Sequence, residues 1–243
     1  MSIKMICYLS CGYPTVERSM EMAEYYIEGG CDAIEMSIPP KDPYRDGPFI
    51  QDLMRKALAG CDDYDFYLEN IRKFAIKHPN TELFLLLYHE VIMSIGYEKL
   101  ADFCNDNGIN NIISGDLHDE KALETFRTHG VKLARAVNYK MNEEDIQRCI
   151  ATDGFTYMQA FPSQGQEIKS GFEELKTCID YLRLRKVSEP IFCGAGIRGP
   201  KDARRVKEAG GNGFFIGSSI IELFDDPVKL VELIRNYKKA VTD

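Results

Sequence analysis

Three carboxylates share the stretch AIEMSIPPKDPYRDGPFIQ, residues 33–51: Glu35, Asp42 and Asp46. Glu35 closes a short apolar run that reads as a strand, so its carboxyl group is expected to be partly desolvated. Desolvation disfavours the charged form and raises a carboxyl pKa towards the range that suits a proton shuttle. Asp46 follows on a Pro/Asp/Gly-rich loop, where it can accept a hydrogen bond from a substrate N–H. Asp42 precedes Pro43 and suits a turn cap. For Glu35 a structural ion pair with a cation at the same rim, such as Arg135, is the competing reading.

The second signal lies near the other end of the chain. One apolar run leads into Cys193-Gly194-Ala195-Gly196-Ile197-Arg198 and the next into Ile216-Gly217-Ser218-Ser219, with a short helix expected at 219–224. Glycines let backbone N–H groups approach an anion, and a helix start adds partial positive charge, so the pair reads as a phosphate grip. Tight turns alone would also use these glycines.

These residues need a scaffold that brings them to one rim. KMICYLS at 4–10 reads as a strand, Thr15 as a helix cap, and the apolar spacing of ERSMEMAEYYIEGG as a helix ending at Gly29-Gly30. The unit recurs as ADFCNDNG then INNIIS, ALETFRTHG then VKLARAV, and ARRVKEAGG then NGFFIG. Strand-like runs at 4–9, 32–36, 83–88, 110–113, 131–135, 154–158, 190–193 and 213–216 give eight strands separated by helices. Helical crossovers require parallel pairing, and eight parallel strands in a chain of 243 residues predict one (β/α)8 TIM barrel spanning 1–243. An open doubly wound sheet would favour a GxGxxG turn after the first strand, where the chain has Ser10-Cys11-Gly12-Tyr13-Pro14. In a barrel, Glu35, Tyr88, Asp116, Tyr157, Gly194 and Gly217 fall at the C-terminal mouth. The long loops 37–48 and 159–171 at that face read as lids or substrate-gripping segments.

Composition narrows the function classes. A net charge of −8 argues against broad binding to nucleic acid or to anionic membrane. Apolar runs such as LFLLLY at 83–88 are too short to span a bilayer, and the first residues enter a strand pattern directly, so a cytoplasmic protein is expected. The eight cysteines lack a CxxC pair and read as free thiols, and the four histidines lack metal-binding spacing, so no metal site is expected.

The segment IEMSIPPKDPYRDGPFIQ resembles the signature of the tryptophan synthase alpha chain family, which runs roughly ELG-P-SDP-ADGP-IQ, and Ser10-Cys11-Gly12-Tyr13-Pro14 resembles that family's TAGYP turn. LLLYHEVIMSIGYEKLADFCNDNGINNIISGDL, TYMQ, CGAGI and IGSSII are similar to its later strands, so the resemblance covers nearly the whole chain. It implies retro-aldol cleavage of indole-3-glycerol phosphate to indole and glyceraldehyde 3-phosphate, without metal or organic cofactor. It also implies a tryptophan synthase beta chain as partner, in an alpha2beta2-type assembly. On this resemblance Glu35 is the proton relay, Asp46 the acceptor for the indole nitrogen, and Tyr157 the active-site tyrosine. Tyr8 and Leu86 match indole-pocket positions, although both suit filling of the barrel and for Leu86 barrel filling is the preferred reading. Gly194, Gly196, Gly217 and Ser218 match the phosphate cradle, with Gly165 added from the loop after strand six.

The chain departs from the family pattern in places. Ala160-Phe161-Pro162-Ser163-Gln164-Gly165-Gln166 replaces an SRSGVTG-like loop, and Gln164 takes the place of its threonine. Strand five lacks the family's prolines and brings Arg135 towards the mouth, while few residues precede strand one, so the barrel floor is expected to be less covered. Three readings stay open. One is an indole-3-glycerol phosphate lyase with a beta partner. A second is a barrel enzyme acting on another phosphorylated substrate. The third is a weakly active barrel kept as a binding subunit.

Overall fold

The computed structural model describes residues 3–242. All strand pairs are parallel, in the order β5-β4-β3-β2-β1-β9-β8-β7-β6. The strands are β1 (Lys4–Ser10), β2 (Ala33–Ser37), β3 (Glu82–Leu86), β4 (Asn111–Ile113), β5 (Lys132–Leu133), β6 (Arg135–Val137), β7 (Thr156–Gln159), β8 (Ile191–Gly194) and β9 (Gly213–Ile216). The two sheet ends, β5 and β6, are separated by Ala134 alone. They form one stave that pairs with β4 before the break and with β7 after it, so the sheet closes into an eight-stave TIM barrel.

The expected strand at 131–135 is therefore divided, for a visible reason. Ala134 N–H donates to Ile112 O at 2.9 Å, whereas Arg135 N–H donates to Phe155 O at 3.1 Å. The ladder changes sides between neighbouring residues, and beyond Ala134 the stave diverges from β4.

The first helix, α1 (Val16–Gly29), begins and ends where its residue types dictate. Thr15 accepts from Arg18 N–H as N-cap, and Gly30 ends the helix in the left-handed region at φ 91°. Gly29 serves packing instead. A Cβ there would lie 2.6 Å from Ile234, so its bareness sets the approach of α1 to the last helix, Pro227–Thr242. Asp63 and Asp119 cap helices Tyr64–Lys77 and Glu120–Thr128 by accepting backbone N–H groups.

Two cores result. Outward-facing strand residues and helix faces bury one continuous layer around the barrel. Inside the barrel a smaller cluster of Ile6, Ala33, Phe84, Ala134, Phe155, Phe192 and Phe215 fills the lumen. Its rings pack at centroid distances of 5.4 Å for Phe84–Phe155 and 4.9 Å for Phe155–Phe192. Lys4 sits over this cluster, 5.5 Å from the Phe192 ring, and is ion-paired with Glu82. The floor is thus closed by the lumen's own side chains, which also leaves the opposite end as the open mouth.

Candidate active site at the barrel mouth

Alternation along the strands decides which side chains reach the lumen. Ala33 lies in the lumen cluster, so Glu35, two residues on, faces the same way at the rim of β2. It borders a mouth cavity of about 420 Å³ whose walls include Asp46, Leu86, Tyr88, Tyr157 and Ala195. Glu35 is 5% exposed, and its carboxyl group has neither an ion-pair partner nor a hydrogen bond among the described residues. Burial, and then the nearby Asp46 carboxylate, push its pKa up to about 8. The alternative pairing with Arg135 is not made.

Asp46 is held in place. The Tyr88 hydroxyl donates to Asp46 Oδ2 at 2.6 Å and accepts from Arg45 N–H at 3.1 Å, closing a two-point clamp between the end of β3 and the loop after β2. Burial raises the Asp46 carboxyl above its ordinary value, against the opposing pull of the Tyr88 hydroxyl and of Arg45. Earlier in the same loop, the Tyr44 hydroxyl donates to Asp116 Oδ2 at 3.0 Å, while Asp116 Oδ1 accepts from His89 N–H at 3.0 Å. Lys41 N–H donates to Glu90, and Tyr64 donates to Pro39 O at 3.3 Å. The loop is pinned at both ends over the mouth. Asp42 is exposed and stands apart from the cavity.

Tyr157, facing the lumen from β7, borders the cavity beside Glu35. Burial, and then the Glu35 carboxyl, raise its phenol well above the ordinary value. Gly194 is required by that ring, since a Cβ at residue 194 would fall 2.0 Å from the Tyr157 hydroxyl. Leu86, on β3, is half-buried and lines the cavity. Tyr8 is buried and faces the lumen from β1; its hydroxyl lacks a partner, and its backbone carbonyl accepts from Tyr26 at 3.0 Å.

The loops after β8 and β9 take up unusual backbone. Ala195 and Gly196 both have positive φ, 61° and 88°, and a Cβ on Gly196 would come within 3.0 Å of Phe161 Cβ. A left-handed alanine is strained, and such outliers gather at functional sites. Gly217 precedes a one-turn helix, Ser218–Ile221, whose first internal bonds run from Ile220 and Ile221 to Gly217 O, so the N–H groups before them have no intrahelical acceptor. The expected helix at 219–224 is thus shorter and begins at Ser218. A Cβ on Gly217 would lie 3.6 Å from Tyr8 Cβ, which places this loop beside β1 at the rim.

Not every expected residue converges: Tyr8, Gly194, Gly196, Gly217 and Ser218 are not among the residues that border the mouth cavity. Gly165 sits at φ 74° on an exposed turn and does not border the cavity. Its loop is tethered instead through Gln166, whose amide exchanges two hydrogen bonds with Gln159 at 2.8 and 2.7 Å. Phe161 lies under the Arg205 guanidinium at 4.7 Å, outside the mouth cavity. Arg135 does border the cavity, but strand alternation turns it from the lumen. It is half-buried beside Arg148, and burial and that second cation lower its pKa.

Neither Arg45 nor the clamping role of Tyr88 stands out in the sequence. Arg45 directly precedes Asp46, and its guanidinium lies where a Cβ on Gly115 would come within 2.6 Å. Adjacency to Asp46 is the one signal that points to it. Among the described residues no cluster of three metal-ligating side chains occurs, and all eight cysteines are free thiols.

Comparison with known proteins gives a consistent result. The sequence model of the tryptophan synthase alpha chain matches residues 2–241. The tryptophan synthase alpha chain of Methanosarcina barkeri is 27% identical over 229 residues, covering 91% of this chain and 84% of its own. That of Photorhabdus laumondii is 27% identical over 232 residues, covering 93% and 86%. In structure, a protein from Aquifex aeolicus superposes with a TM-score of 0.86 at 24% identity, over 99% of this chain and 93% of that one. Tryptophan synthase subunit alpha from Legionella pneumophila superposes at 0.83 and 23% identity, over 99% and 93%.

Proposed function

The chain belongs to the tryptophan synthase alpha chain family, and from that membership we propose that it cleaves indole-3-glycerol phosphate to indole and glyceraldehyde 3-phosphate. The observation that supports this reading most directly is the unpartnered Glu35 carboxyl in the mouth cavity, opposite an Asp46 that Tyr88 holds still. With a pKa of about 8, Glu35 is protonated at neutral pH and can deliver its proton to the indole ring carbon bonded to the glyceryl chain. The carboxylate left behind then takes the proton from the adjacent glyceryl hydroxyl. The carbon–carbon bond breaks, its electrons return to the indole ring, and the hydroxyl carbon becomes the aldehyde.

Asp46 accepts the indole N–H as positive charge develops on the ring, an interaction that strengthens towards the transition state. Tyr8, Leu86 and Tyr157 flank the flat ring, and Gly194, Gly196, Gly217 and Ser218 hold the phosphate. The chemistry is carbon–carbon lysis by acid, base and hydrogen bond, without an organic cofactor or metal. A cytoplasmic setting and a tryptophan synthase beta chain that receives the indole, in an alpha2beta2-type assembly, complete the reading. Among the described residues no helix is long and apolar enough to cross a membrane.

Indole release from indole-3-glycerol phosphate, measured with and without a beta chain, tests it. Release is expected in both cases and faster with the beta chain. No release in either case removes the lyase reading.

A further inference from the structure

Beyond Ala134 the barrel wall opens. Ala134 N–H still donates to Ile112 O on β4, but Arg135 N–H donates to Phe155 O at 3.1 Å, and Ala136 is exposed although it sits on β6. Through this gap the mouth cavity extends from Glu35 past Ile113 and Ala136 to Arg135, Asp145 and Arg148. A second cavity, of about 490 Å³, lies outside the strands, is lined by the helices Glu120–Thr128 and Glu143–Ala151, and shares the same two arginines.

Arg135 is half-buried, and among the described residues its guanidinium has no ion pair and no hydrogen bond. A cation taken partly out of water without an anion is costly. Its neighbour Arg148 shows the usual solution, with Nη1 3.3 Å from Asp145 and Nη2 paired with Glu144. Burial and then Arg148 disfavour the charge on Arg135, and Cys149 and the exposed Asp153 oppose this less strongly. Asp116, the carboxylate on the β4 side of the mouth, is taken up by Tyr44, Ser114 and the His89 amide. Asn138, on the same wall, accepts from Lys140 N–H at 2.9 Å through its side-chain oxygen, and its amide N–H groups have no acceptor among the described residues. The acceptors of this wall are engaged while donors are left over, which is the complement of an anionic group.

We propose that Arg135, with Arg148 and Asn138 beside it, forms a second ligand-binding site in the gap between β4 and β6, and that it takes a carboxylate. The planar guanidinium fork matches a carboxylate in a two-bond geometry. With Arg148 already shared by two acids, a monoanion balances the charge of Arg135, whereas a phosphate dianion would bring excess negative charge beside Asp145 and Asp153. The site is separate from the glycine loops after β8 and β9 and does not depend on the lyase reading.

Calorimetric titration of the whole chain with benzoate, acetate, inorganic phosphate and the neutral benzyl alcohol tests it, in the wild type, Arg135→Gln and Arg135→Lys. The wild type is expected to bind benzoate about tenfold more tightly than benzyl alcohol. Arg135→Gln should lose that preference, and Arg135→Lys should keep part of it, having the charge without the fork. Without ligand, Arg135→Gln should melt at the wild-type temperature or above, because an uncompensated cation has been removed. Acetate bound as tightly as benzoate identifies the occupant as a free carboxylate; benzoate alone, displaced by indole, identifies it as a carboxylate borne on the ring of a ligand in the mouth. A wild type with no preference, a preference kept by Arg135→Gln, a lower melting temperature for that variant, or inorganic phosphate held through Arg135 more tightly than benzoate overturns the proposal.

Discussion

Glu35 is the residue on which pH acts most directly. Its folded-state pKa of about 8 stands above the ordinary 4.5, so the folded protein keeps a proton that the unfolded chain releases between those values. The stability linked to that proton is complete below about 4.5 and is lost as pH rises towards 8. Glu35→Gln removes the dependence: its melting temperature relative to wild type should climb as pH is raised from about 5 to about 9, by the equivalent of a few kcal/mol. Turnover should fall by about 10²–10⁴, with circular dichroism unchanged; a variant that still turns over would strip Glu35 of its role. In the wild type, kcat/KM should decline above about pH 8, since the first proton transfer needs the protonated acid. A profile that instead rises through that pH would make Glu35 the initial base.

At the level of elements, the site depends on how the loop after β2 is fastened to the end of β3. Tyr88 supplies two bonds of that fastening, one to the Asp46 carboxylate and one from the Arg45 amide. Tyr88→Phe keeps the ring and removes the hydroxyl. It should cost about 1–3 kcal/mol in a urea titration and lower kcat/KM by roughly tenfold through a less ordered Asp46. A fall in kcat/KM without any loss of stability would point to direct contact between Tyr88 and the substrate. The divided stave matters at the same scale. Once β6 leaves β4 for β7, the cavity extends beside Ile113 and Ala136, and Ala136 is exposed although it sits on a barrel strand.

In the molecule as a whole, the phenylalanine cluster separates a closed floor from an open mouth and supports the rim residues from below. Phe155 touches Phe84, Phe192 and Phe215 at centroid distances from 4.9 to 6.0 Å. Phe155→Ala should destabilise the protein by about 3–5 kcal/mol, seen as an earlier unfolding midpoint; a much smaller loss would mean that the lumen collapses to fill the space. Short stretches of the chain are enough to specify the parallel βα order, the cap at Thr15, the stop at Gly30, the placing of Glu35 and Asp46 on one rim, and the glycine loops after the last two strands. Each of these follows from a few neighbouring residues, through periodicity, capping or turn chemistry. Other features arise only when the barrel closes: the fifth stave divides at Ala134, Tyr88 clamps Asp46, Gly165 stands away from the cavity, and Arg135 is left without an ion-pair partner among the described residues. Those outcomes depend on which groups meet across the closed sheet, and residues distant in the chain, such as Asp46 and Tyr88, have no local pattern that announces their meeting.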